Sequence, residues 1–238
     1  MGYSRTEINS NGGRMNQACI EYGTTHLTSG DVRGKSVLEV GSQNVNGSLR
    51  SYVEGLGPSR YFGVDMTPGD GVDEVCSAEK LIERFGVDAF DVVISTEMLE
   101  HVRDWRAVIN NMKGVLKPGG IMLFTTRSQG FAFHAYPFDF WRYELSDVSA
   151  LFDDFETLNL ESDPSEPGVF FKGRKPMNWR ARSLDGYALY SIILRRRSVD
   201  VSESQVKLFR LFYPARFAVA SVVTQPIRRG IKRLFGAV

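Results

Sequence analysis

A chain of 238 residues that is 42% apolar and 24% charged is long enough to bury one α/β core with appendages, and its composition is that of an ordinary globular protein. Two cysteines, Cys19 and Cys76, exclude a disulfide framework and a paired-cysteine metal centre, and no apolar run approaches the ~20 residues of a membrane span. The net charge of +1 hides an asymmetry: residues 1–194 carry 19 basic and 26 acidic side chains, residues 195–238 ten and two. The polar start, MGYSRTEINSNGGRMNQ, lacks the apolar core of a signal peptide, so the expected location is cytoplasmic.

Residues 1–29 read as a polar arm leading into a helix over about 14–28. From residue 30 to 175 the pattern alternates. SVLEV, YFGVD, DVVIS and GIMLFTT are short β-rich runs, mostly continuous in apolar character, as strands buried on both faces are. Between them lie the helix-like SLRSYVEGL, AEKLIERFG and DWRAVINNMKGVL. The last has Asp104 as N-cap and a Lys-Pro-Gly-Gly turn behind it. ELSDVSALF then predicts a short helix, and DFETLNLES and GVFFKGRK a strand pair. The expected fold is α/β: a doubly wound, mostly parallel seven-stranded sheet with an antiparallel last strand. Residues 176–238 form a basic extension, expected to be helical or irregular.

Ligands of a doubly wound sheet bind beyond the carboxyl ends of its strands. Glu39 and Gly41 end the first strand, and Gly41 and Gly47 bracket a loop whose backbone can approach a ligand closely. The next helix N-terminus offers N–H groups to a carboxylate, and Glu39 is placed to meet an ammonium. Asp65, one strand later, suits the two hydroxyls of a ribose. The loop reads GSQNVNG, which is an incomplete G-x-G-x-x-G, and no P-loop is present. This favours S-adenosylmethionine over a dinucleotide.

LEVGSQNVNGSLR, YFGVDMTPGDGVDEV, FDVVISTEMLEHVRDW and LKPGGIMLFTT stand in order over roughly residues 30–173. Together they resemble the successive motifs of class I S-adenosylmethionine-dependent methyltransferases, in a form similar to a type 11-like subgroup. The resemblance implies cofactor contacts from Glu39, Gly41 and Ser42 at the methionine end, from Asp65 at the ribose and from Met66 against the adenine. It implies Ser77 and Ala78 at the adenine edge, where Ser77 departs from the acidic residue often found. Glu97 would line the junction of cofactor and acceptor.

After the fifth strand, FAFHAYPFDFWRY crowds seven aromatic residues around His134, Asp139 and Arg142, a suitable wall for a sugar or aromatic acceptor. The same subgroup often has a similar H-x-Y-P-x-D-x-W-R run. An alcohol acceptor calls for a general base, and His134 has a suitable ordinary pKa. Asp139 would orient it or act as the base itself. His101, Tyr136, Trp141 and Arg142 are candidate acceptor-binding residues. No metal is expected: the acidic stretch Asp65, Asp70, Asp73 and Glu74 reads first as a turn.

In PIRRGIKRLFGAV, apolar and basic residues alternate at helical spacing. Such a segment would lie on an anionic membrane surface, or dock on its own domain or on a second copy. The expected partners are therefore a small-molecule acceptor, with saccharide and glycolipid precursors favoured, peripheral membrane contact and a homodimer, without nucleic acid. A nicotinamide-dependent oxidoreductase and a non-catalytic binding or scaffold protein are the competing functions.

Overall fold

The computed structural model describes residues 17–45, 47–134 and 138–212. Helices α1 (Gln17–His26) and α2 (Ser29–Val32) precede strand β1 (Ser36–Val40) and helix α3 (Arg50–Gly55). Strands β2 (Arg60–Asp65) and β3 (Glu74–Val75), helix α4 (Leu81–Phe85), strand β4 (Phe90–Thr96), helix α5 (Trp105–Val115) and strand β5 (Leu116–Arg127) follow. Then come β6 (Trp141–Arg142), α6 (Leu145–Leu151), β7 (Glu156–Ser162), β8 (Gly168–Arg174), β9 (Leu189–Ser191) and β10 (Arg196–Ser198).

Seven strands form one sheet in the order β3-β2-β1-β4-β5-β8-β7. The first five run parallel, while β8 is antiparallel to both β5 and β7. This is the doubly wound sheet expected, with the last strand of that sheet in chain order reversed. The strand order turns around between β1 and β4, and that reversal locates the ligand crevice at the ends of these two strands.

Strand residues alternate between two cores, as a period of two requires. Val37, Val92, Leu123 and Phe170 face one side, with Leu49 and Val53 from the α3 region and Ala18, Cys19 and Tyr22 from α1. Leu38, Val93, Phe124 and Phe171 face the other, under Trp105, Ile109 and Met112 of α5 and Val148 of α6. Burial on both faces explains why these strands read as unbroken apolar runs.

The described part of the extension holds strands as well as the expected helix. Strands β9 and β10 form a hairpin, and β9 pairs with β6 to make a second sheet, β10-β9-β6. Residues 203–212 are helical. Leu184, Leu189 and Val201 join the core over α5, and burying each such side chain is worth roughly 1.5–3 kcal/mol. The Arg106 guanidinium donates to the carbonyls of Leu184, Val199 and Tyr187 and binds this segment to α5. Such contacts span about eighty positions of sequence, so no local pattern announces them. Among the described residues, no helix is long and apolar enough to cross a membrane.

Candidate active site

The turn after β1 begins with Gly41 at φ +78°, in the left-handed region that favours glycine. A Cβ there would stand 2.7 Å from Met98 Cγ, so Met98 lies directly over the turn. The loop is braced against the one after β2. The Gln43 N–H donates to Asp65 Oδ2 (3.3 Å), the Asn44 N–H to the Asp70 carbonyl (2.8 Å) and Asn44 Nδ2 to Asp70 Oδ2 (2.9 Å). Asp73 accepts the Gly63 N–H (2.7 Å) and pairs with Arg50. The stretch read as a turn is a turn, and its acidic residues have partners in the protein.

Several groups are free to hold a cofactor. Ser42 is buried, and its hydroxyl has no hydrogen-bond partner. Asp65 is half-buried at the end of β2, and Met66 is 62% exposed at the lip beside it. Glu39 lies beneath the loop with Oε2 accepting from Tyr61 Oη at 2.7 Å. Burial pushes its carboxyl up to about 7, against that hydrogen bond and the charge of Arg50. Ser77 is exposed and caps the 3-10 turn Ala78–Lys80, accepting from the Glu79 N–H at 3.3 Å, with Ala78 half-buried behind it. An orphaned hydroxyl, a carboxyl placed for an ammonium and an acid at a strand end fit the two ends of S-adenosylmethionine.

The segment after β4 carries two glutamates, and β5 holds each by a threonine. Thr125 Oγ1 donates to Glu97 Oε1 (3.1 Å), and Thr126 Oγ1 donates to Glu100 Oε2 (2.9 Å). Neighbouring strand residues point to opposite faces, so Thr125 and Thr126 divide the two acids between the faces of the sheet. Glu97 has φ +54° and forms an ion pair with Arg127, whose guanidinium stacks on Phe131 and reaches Asp163 and Glu166. Burial, then the nearby Glu100 carboxylate, raises the Glu97 pKa. Neither the threonine pair nor Arg127 drew notice in the sequence; the signal available was two adjacent polar residues ending an otherwise apolar strand.

The loop after β5 departs from the expected aromatic wall. Phe140, Trp141 and Tyr143 are buried core residues. Trp141 donates from Nε1 to the Arg103 carbonyl (3.1 Å), and Tyr143 from Oη to that of Leu99 (3.2 Å). Arg142 is 0% exposed, its guanidinium held by both Asp139 oxygens and by the carbonyls of Phe131, Ala132 and Trp141. The expectation that Trp141 and Arg142 line an acceptor surface is therefore corrected. Recruitment of β6 into the second sheet carries both inside. Tyr136 lies outside the described residues. Phe131, Phe133 and Phe138 stay half-buried, and the Phe131 ring meets that of His134 edge-on.

Asp139 is 1% exposed and accepts from Arg142 twice and from His134 through its backbone N–H (2.9 Å) and Nδ1 (3.1 Å). Burial alone would raise its pKa, but the hydrogen bonds from Arg142 and His134 outweigh it and hold the carboxyl at about 2. Both Asp139 oxygens are thus engaged, and the carboxylate is placed to orient the His134 ring. With Nδ1–H given to Asp139, His134 presents the Nε2 lone pair to the cleft. His101 likewise uses Nδ1 on the Phe138 carbonyl.

The sheet order, the glycine turn over β1 and the acids ending β1, β2 and β4 define a class I methyltransferase. A family model described as a methyltransferase domain matches residues 14–159, more than half of the chain, and the chain belongs to that family. Among curated relatives, it is 32% identical over 134 residues to a ubiquinone biosynthesis O-methyltransferase of Coxiella burnetii, covering 51% of this chain and 55% of that one. The chain thus spans about half the length of such relatives. Among solved structures it is similar to an S-adenosylmethionine-dependent methyltransferase from Mesorhizobium loti (TM-score 0.52, 18% identity, 67% of this chain and 99% of that one). It is also similar to the 1,6-didemethyltoxoflavin-N1-methyltransferase of Burkholderia thailandensis (TM-score 0.54, 14% identity, 68% and 80%).

Proposed function

We propose that this enzyme methylates a hydroxyl group of a small molecule, with His134 facing the acceptor oxygen. The observation that carries the reading is the Asp139–His134 pair. A buried carboxylate, held ionised by Arg142, fixes the histidine tautomer and leaves Nε2 able to take a proton beside the ends of β4 and β5. When bound, the cofactor supplies a methyl group on a positively charged sulfur. Glu39 and Ser42 would hold its amino-acid end, Asp65 its ribose, and Met66, Ser77 and Ala78 its base. Asp65 keeps its acceptor oxygens at a fixed height because Gln43 and Thr67 already bond them from one side. The aromatic rings of Phe131, Phe133 and Phe138 exclude water from the acceptor oxygen, and His134 removes its proton as the carbon–oxygen bond forms.

Methyl transfer to oxygen is also what the names of the curated relatives describe. A saccharide or glycolipid precursor remains the favoured acceptor, now on the narrower ground of the three half-buried rings and the basic tail. The test is incubation of the enzyme with S-adenosylmethionine and two acceptor panels, glycosides and phenols, followed by mass spectrometry. A +14 Da product resistant to acid treatment that removes methyl esters supports a methyl ether. Methylation confined to amines or carboxylates would defeat the reading.

A further inference from the structure

We infer that Glu100, His101 and His134 form a binding site for a divalent first-row transition ion at the acceptor end of the cleft. Glu100 is 0% exposed, and its Oε1 has no hydrogen-bond partner among the described residues. Its Oε2 is fixed by Thr126, and its carbonyl by the Phe140 N–H at 2.9 Å, so the side chain has no freedom to turn Oε1 elsewhere. A buried carboxylate oxygen left without a partner is costly unless a cation meets it. Two imidazole nitrogens stand near it, His134 Nε2 at 3.8 Å and His101 Nε2 at 3.9 Å, both beyond hydrogen-bond reach.

Both histidines are prepared as ligands. A carbonyl can only accept, so His101 Nδ1, bonded to the Phe138 carbonyl, carries the proton and Nε2 carries the lone pair. His134 has the same arrangement with Asp139. A second hydrogen bond of this kind is what orients metal-bound imidazoles in general. The three ligand atoms lie within 4.8 Å of one another. Around an ion at ~2.0–2.2 Å, tetrahedral ligands stand about 3.3–3.6 Å apart, so they need to draw in by a few tenths of an ångström to about an ångström. His134 sits on the half-exposed loop and can supply that movement.

Two neutral imidazoles and one carboxylate suit zinc, manganese or iron(II) better than magnesium or calcium, which prefer oxygen ligands. Three protein ligands leave coordination positions open, and an acceptor hydroxyl bound there would lose its proton more readily. The His134 lone pair is then spent on the ion, which acidifies the coordinated hydroxyl, and the proton leaves to solvent water before the methyl group is transferred. The ligands come from the ends of β4 and β5, two central neighbours in the sheet, where substrates of this architecture sit. This inference rests on the reading of that end as the acceptor site, and it replaces the sequence expectation of no metal.

The full-length protein, stripped with a chelator, is titrated with Co2+ and followed by its visible ligand-field absorption. One equivalent should bind and be displaced by Zn2+. Asp139→Asn should weaken binding by ~10–100-fold through the lost orientation of His134. Glu100→Gln and His134→Ala should weaken it further, with S-adenosylhomocysteine affinity on the same samples reporting that each variant is folded. A flat titration, or a band unchanged in both ligand variants, overturns the site. Methylation of a hydroxyl by chelator-treated protein with a flat titration would remove the metal and keep the O-methylation reading. Tight Co2+ binding lost in Glu100→Gln, with no hydroxyl ever methylated, would do the reverse.

Discussion

The two halves of the cleft are built differently. The cofactor half is stitched together by bonds between segments close in sequence: Gln43 to Asp65, Asn44 to Asp70, Arg50 to Asp73. Asp65 sits half-exposed at the lip, whereas Glu39 and Ser42 are buried behind it, the Ser42 hydroxyl without a hydrogen-bond partner among the described residues. The acceptor half is anchored by buried charge and distant partners. Asp139 and Arg142 lie inside, Phe140 bonds Ile192, and the rings of Phe133 and Phe138 meet Phe209 and Arg210 of the 203–212 helix. A cofactor common to many enzymes is served by a local scaffold, whereas the acceptor side depends on a particular tertiary closure.

Substitutions in the two halves should therefore fail in different ways. The largest effect is expected from His134→Ala, which should lower turnover by ~10²–10⁴-fold while S-adenosylhomocysteine affinity is unchanged. Steady-state kinetics beside calorimetry will show it, and turnover at the wild-type rate would take His134 out of the site. Next, Asp139→Ala strands the buried Arg142 charge and should destabilise the fold by about 3–5 kcal/mol in urea unfolding. Because the folded Asp139 carboxyl titrates at about 2, below its unfolded value, its stabilisation is fully present above ~pH 4 and is lost as pH falls through 2. An acid limb of the stability curve that is the same in Asp139→Asn and wild type would contradict this.

In the cofactor half, Asp65→Ala should weaken S-adenosylmethionine binding by ~1–3 kcal/mol and leave the unfolding midpoint nearly unmoved. Unchanged affinity would reject the ribose assignment. Glu39 offers a smaller and more specific signal. Its raised pKa of about 7 means that the folded state keeps a proton the unfolded chain has lost, so stability falls as pH rises from ~4 to 7. A cofactor ammonium beside it would expel that proton. Calorimetry near pH 6.5 in buffers of different ionisation enthalpy should detect the release, and Glu39→Gln should abolish it. The smallest effect concerns the proposed lipid contact of the tail. Deleting residues 213–238 spares the β10-β9-β6 sheet, and should reduce flotation with anionic vesicles and leave turnover on soluble acceptors intact. Equal flotation of both forms would retire that proposal.

The difference in construction also explains what was readable in advance. Glu39, Gly41, Ser42 and Asp65 stand at strand ends that apolar runs announce, and a period-two pattern needs only a few neighbouring residues to be seen. Phe140, Trp141 and Tyr143 carry no mark separating a ligand-facing ring from a core ring. Their burial depends on β9, which lies some fifty positions on. Glu100 is similar: one letter in STEMLEH cannot show that Thr126 holds one oxygen and that no hydrogen-bond donor among the described residues meets the other.

The amino-acid sequence by itself determined the doubly wound, mostly parallel sheet with its reversed last strand, and the glycine and acids that stand at its strand ends. Local apolar periodicity and the positions of glycine and acid at strand ends suffice for these. Only the tertiary structure decided that Trp141 and Arg142 are interior, that Asp139 is buried between Arg142 and His134, and that Glu100, His101 and His134 converge. Each of these depends on burial and on contacts made across the fold, and neither is a property of any single stretch of chain.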